Sequence, residues 1–228
     1  NTDDSNLEYL LDTAEAATER GIEFDPWEQN NLARAAILSS KFDIADRYLQ
    51  LAIQGFKKGK DRYGEAAAYT NFATISNSKL DYVEAIELFQ KSQSIYKELG
   101  DWHYESMTLM NIGAVSHTMA VYHPLEEDDR ESLLDDSLHF YDLAINRCLK
   151  QTGWRDTVVL AMSNSGMIHK KRKNLDRAEE LYKFSRNIME IFGGVDLESK
   201  RIICFNELTL ADLYISKKEY DRAISLAH

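Results

Sequence analysis

The stretch "NFATISNSKLDYVEAIELFQKSQSIYKELGD", residues 71–101, decides the fold. Two small residues, Ala73 and Ala85, stand 12 positions apart in it. Tyr82, Phe89 and Ser92 fall three before, four after and seven after Ala85. That is the stripe of an amphipathic helix. Gly100 follows at the place where a left-handed residue ends a helix, and Asp101 suits the start of the next. A small residue on each of two antiparallel helices lets their axes approach closely. The gap of 12 holds one helical turn, a tight turn and another helical turn. The stretch therefore predicts a helical hairpin.

Working outward, the same frame recurs. Ala33 and Ala45, Gly166 and Ala178, and Ala211 and Ala223 repeat the spacing, and Gly113 and Ser137 repeat it with 12 extra residues between them. Three residues before the second small residue stand Phe42, Leu134, Leu175 and Tyr220. Four after it stand Leu49, Tyr141 and Tyr182, and seven after it Ala52, Ala144 and Ser185. Gly59, Gly153 and Gly193 are the predicted helix ends, and Asp61, Asp156 and Asp196 the predicted starts. The second small residues are 40, 52, 41 and 45 positions apart. Hairpins of this kind cannot bury their faces alone, so they stack. The expected repeats are about 27–59, 62–100, 102–153, 156–193 and 197–228 of a single solenoid over 1–228. Leu7, Leu10, Leu11, Ala14, Ala17 and Thr18 predict a leading or capping helix over 1–21, stopped by Gly21. The ends, at Asn1 and only five residues past Ala223, read as cut from a longer chain.

Composition agrees with this reading. The 228 residues carry a net charge of −11, with 29% charged and 44% hydrophobic residues, so the chain folds. Only 10 Gly and 2 Pro interrupt it, which points to long helices. The acidic balance disfavours a reader of phosphate backbones, which needs clustered positive charge. No apolar run approaches the ~20 residues that span a bilayer, so no membrane insertion is expected. Cys148 and Cys204 lie far apart in amphipathic segments. They are expected as buried free thiols in a reducing, cytoplasmic setting.

"NIGAVSHTMA" (111–120), "KLDYVEAIELFQKS" (79–92) and "KNLDRAEELYKFS" (173–185) resemble the two helices of the tetratricopeptide repeat (TPR) family. The resemblance runs from about Trp27 to the end. The family's usual Trp is replaced by Gln29, Tyr69, Leu109, Met162 and Glu207, and its closing Pro is absent. The period exceeds the family's length of about 34 residues. The chain is thus more similar to the long-repeat branch, which includes kinesin light chain, the Leu-Gly-Asn adaptors and bacterial peptide-pheromone receptors. The resemblance implies an all-α, right-handed superhelical solenoid of antiparallel helix pairs, and it fixes fold better than role.

Asparagine carries the main functional signal. Asn31, Asn71, Asn111 and Asn164 stand two residues before the first small position, with Thr209 in the last repeat. Asn is 12 of 228 residues, so four in one frame exceed chance. Asn is also a poor helix-interior residue, because its side chain competes for backbone hydrogen bonds. The resemblance implies that this position faces a concave groove that holds peptide. A carboxamide offers both donor and acceptor, and so grips both polar groups of an extended peptide unit. The competing reading is that each Asn bonds a neighbouring helix and keeps the repeats in register. Arg34, Thr74 and Lys171 join the candidate groove, with Arg34 placed to pair with a ligand carboxylate. The Lys clamp of chaperone-tail receptors is not reproduced, since its positions hold Asn30, Thr70, Met110 and Ser163.

Twelve extra residues lie in and around "VYHPLEEDDRESLLDD" (121–136). They predict two helices lengthened by about a turn and a half each, turning at Pro124. The acidic residues open the second helix, where the dipole favours them. A solvated loop outweighs a partner-contacting knob there. The basic run Lys170–Lys173 reads as a solvated turn. Phosphate-loop, His-Glu-x-x-His and Gly-x-Ser-x-Gly motifs are missing. His117 and His123 read as surface histidines rather than ligands of a metal with Glu126 or Asp128. Neither cofactor, metal nor catalytic residue is expected, and the chain is not read as an enzyme. The expected role is a scaffold module binding an extended peptide or partner helix. The alternatives are a peptide-sensing regulatory domain of a larger signalling protein (transcription regulator, cyclase or kinase) and a structural assembly subunit. Nucleic acid is not expected as a partner.

Overall fold

The structure, a computed structural model, describes residues 2–150, 155–192 and 197–226. Gly153, Gly193, Asp196 and His228 lie outside them. The described residues form eleven α-helices and no strand. The chain divides into two compact units, Asn1–Asp101 and Trp102–His228.

The first unit holds α1 (Thr2–Glu19), α2 (Pro26–Leu38), α3 (Phe42–Gly59), α4 (Arg62–Ser78) and α5 (Tyr82–Leu99). Helices α2/α3 and α4/α5 pair as hairpins, α3 packs on α4, and α1 packs on α2. Asp25 starts α2 with a capping box: its carboxylate accepts from the Glu28 amide, and Glu28 reaches back to the Asp25 amide. The Asp61 and Asp81 carboxylates accept from the Gly64 and Glu84 amides at the starts of α4 and α5. Ala33, Ala45, Ala73 and Ala85 are fully buried where the paired helices meet.

The second unit holds α6 (Trp102–Tyr122), α7 (Glu127–Cys148), α8 (Arg155–Lys171), α9 (Leu175–Phe192), α10 (Leu197–Ser216) and α11 (Tyr220–Ser225). Its hairpins are α6/α7, α8/α9 and α10/α11. The first helices of the three hairpins also touch, α6 on α8 and α8 on α10. Both helices of the α6/α7 hairpin are lengthened, and Pro124 lies in the turn between them. Glu127, Asp128 and Asp129 open α7. Arg130 donates to the carbonyls of Ala120 and Leu125 and so ties this tip together.

Each hairpin frame is filled by size. Where the first small residue is Ala33 or Ala73, the residue four after the second is Leu49 or Phe89. Where it is Gly113 or Gly166, that residue is Tyr141 or Tyr182, and the ring lies over the glycine. Interhelical bonds to backbone follow the frame as well. Ser92 donates to the Ala66 carbonyl at 2.9 Å, Ser185 to that of Val159 at 3.3 Å, and Ser137 to that of Gly113 at 2.7 Å.

Three expectations are corrected. The left-handed residue ending α3 is Lys60, not Gly59, which is the last residue of the helix. Lys60 stands at the same distance from Ala45 as Gly100 does from Ala85, so the turn geometry keeps its place and the glycine misses it. Asp156 lies within the first turn of α8 rather than ahead of it. Cys148 is buried, but Cys204 is exposed, because it projects from the side of α10 opposite its buried stripe of Asn206, Leu210 and Leu213. No helix among the described residues is long and apolar enough to cross a membrane.

Candidate functional site

The candidate site is built on the first helix of each hairpin. In the first unit Asn31 and Arg34 are exposed on α2, and Asn71 and Thr74 are half-buried on α4. Asn71 Nδ2 donates to Asn30 Oδ1 at 2.9 Å, and Asn30 is only 3% exposed. This is the bond between neighbouring helices that a register role requires. It leaves the Asn71 oxygen and one amide hydrogen free to meet another group. Thr74 turns its hydroxyl back onto the Thr70 carbonyl. Asn31 makes no side-chain hydrogen bond among the described residues.

In the second unit Asn111 on α6 and Asn164 on α8 are half-buried. Asn111 also makes no side-chain hydrogen bond among the described residues. Asn164 lies beside Tyr141 of α7. Burial pushes the Tyr141 phenol up to about 12, and Ser137 and Asn164 offset part of that, though its hydroxyl forms no well-aligned hydrogen bond. Lys171 is exposed at the end of α8 and faces the half-buried His117 of α6. Burial and then the Lys171 charge lower the His117 pKa, so its imidazole is neutral near pH 7.

The basic run closes α8 at a turn, and half of it is engaged. Lys170 pairs with Asp212 of α10, and Arg172 pairs with Glu131 and Asp135 of α7 at 2.7 and 2.9 Å. Lys171 and Lys173, both exposed, have no carboxylate partner among the described residues.

No family model matches the chain, and no curated protein matches it. The chain shares its fold with BtubC. BtubC (BKLC) from P. vanneervenii superposes with a TM-score of 0.72 at 13% identity, over 99% of this chain and 87% of that chain. NprR in complex with its cognate peptide NprX gives a TM-score of 0.38 at 13% identity, over 96% and 71% of the two chains. The apo form of the quorum sensor NprR from B. thuringiensis gives 0.34 at 12%, over 94% and 67%. At 13% identity the likeness to BtubC is one of fold alone. It agrees with the hairpin frame: the chain has an all-α, TPR-like solenoid fold.

Within the fold shared with BtubC, sequence reading missed two features of this face. One is Asn30, the buried partner of Asn71, which lies 41 positions away and gives no local signal. The other is a row of large apolar residues four before the asparagines: Met107, Leu160 and, before Thr209, Phe205. All three are half-buried. Their helical spacing to the asparagines was visible in the sequence and would have found them.

Proposed function

We propose that the chain is a protein-interaction module whose first-helix faces bind an extended peptide or a partner helix, in the manner of the long-repeat TPR branch. The observation that carries this reading is the unengaged carboxamide. Asn31 and Asn111 occupy helix interiors that disfavour Asn, yet neither side chain bonds another described residue. Asn71 retains free polar groups after bonding Asn30. A peptide backbone offers the missing donor and acceptor at each position, whatever its side chains. The reading assigns the chain no catalytic role.

The test is affinity purification of the protein from its native cell, read by mass spectrometry. It is run beside an Asn71→Ala/Asn111→Ala/Asn164→Ala variant shown to be folded by circular dichroism. A partner retained by the wild type and lost by the variant is expected. Identical partner sets would overturn the groove and leave the asparagines a structural role.

A further inference from the structure

The second unit's face is graded across its three first helices. Met107, Leu160 and Phe205 form an apolar row on one side of Asn111, Asn164 and Thr209. On the other side, α8 runs through half-buried Met167 to exposed Lys171. These two stand three and seven residues beyond Asn164, on the same side of the helix. Successive side chains of an extended peptide point to opposite edges. A segment held along the Asn row therefore turns one set of side chains to the apolar row and the other set toward Lys171.

The second edge carries an available positive charge. The chain has 38 acidic residues against 27 basic ones. Among the described residues Lys171, like Lys173 of the same run, is left without an acidic partner, while Lys170 and Arg172 are each paired; of the two, Lys171 lies in register with Asn164 on α8. Asp212, on the next first helix, is already held by Lys170. The group facing Lys171 across the helix pair is a histidine, which adds no negative charge.

Resting on the peptide-binding reading above, we infer that the second unit selects an extended segment with apolar side chains on one edge and a carboxylate on the other, the carboxylate pairing with Lys171. The apolar row supplies burial and Lys171 supplies the choice of charge. Asn111 and Asn164 hold the backbone.

The experiment is to pan a displayed library of random linear peptides against the whole chain. The peptide enriched most is then synthesised and titrated by fluorescence anisotropy. Enriched peptides are expected to alternate apolar and polar residues and to share an Asp or Glu. Lys171→Glu is expected to weaken the acidic peptide at least tenfold. Replacing the peptide's carboxylate by Lys should restore binding to that variant. Because Lys171 is exposed, the substitution leaves the core intact. Enriched peptides that lack a common carboxylate, or an affinity unchanged by Lys171→Glu, would overturn this inference while binding that still depends on Asn111 and Asn164 upheld the groove. No enrichment, or enrichment indifferent to Asn111→Ala/Asn164→Ala, would overturn both.

Discussion

Gly166 and Tyr182 show how single residues set the hairpin spacing. A Cβ on Gly166 would fall well inside van der Waals contact with the Tyr182 ring, which is only 1% exposed and has no room to retreat. Gly166→Ala gains helix propensity of up to about 1 kcal/mol. Overpacking of about 1–3 kcal/mol outweighs it. The substitution is expected to lower the urea midpoint. Adding Tyr182→Leu, which copies the Ala33–Leu49 pair of the first hairpin, should recover part of the loss. A second residue-scale device is Glu179, a buried carboxylate on α9. Burial alone would raise its pKa, but Lys183, Lys217 and Arg222 surround it at 2.7, 2.6 and 2.8 Å and hold it near about 2. Its folded value lies below its ordinary one. Its contribution is therefore complete above about pH 4.5 and is lost as the pH falls through about 2. Urea midpoints measured against pH should show Glu179→Gln destabilising at neutral pH, with the gap to wild type closing in acid. A constant gap would refute the ion-pair origin.

At the scale of elements, the turns inside four of the five hairpins share one device. Ser40, Leu80, Lys173 and Lys218 each stand seven residues after the first small position and each take a left-handed backbone. Around each, two amide-to-carbonyl bonds close the end of the first helix, as Leu80 to Asn77 and Asp81 to Ser76 do. None of the four is glycine, so the strain is held by the stacked helices. Leu80→Gly relieves a left-handed strain of about 1–2 kcal/mol and gives back part of it as chain entropy. The expected net is a stabilisation of a few tenths to about 1 kcal/mol in urea melts. The lengthened α6/α7 hairpin depends on Arg130, whose guanidinium is its cross-tip tie. Arg130→Ala should speed amide exchange over residues 119–127 and leave that of α9 unchanged. These elements also mark how far the sequence could be read. The extended helices, the Pro124 turn and the acidic opening of α7 were legible because insertion length, a helix breaker and charge placement are local signals. The turn residues were not, since Ser, Leu and Lys carry no left-handed preference and only the packing of the finished hairpin imposes it. The same holds for Lys60: the glycine one residue earlier gave the stronger local signal, and the register overrode it.

At the scale of the whole molecule, the repeat was legible because four small-residue pairs repeat one spacing, and three of those pairs are buried. The division at Asp101/Trp102 was not, since no Pro, Gly-rich or charged linker marks it. The roles of the four asparagines were legible only as a shared position. The structure separates them: Asn71 is bonded to Asn30, Asn164 lies beside Tyr141, and Asn31 and Asn111 are unengaged. The central claim is that unengaged asparagines on the first helices hold a ligand. It is tested most directly by measuring unfolding free energy and partner retention together for each single Asn→Ala variant. Asn71→Ala should lose about 1–3 kcal/mol of stability, because it strands the buried Asn30 oxygen. Asn31→Ala and Asn111→Ala should keep wild-type stability or gain slightly, yet release the partner. An Asn111→Ala protein that is destabilised and still holds its partner would contradict the account.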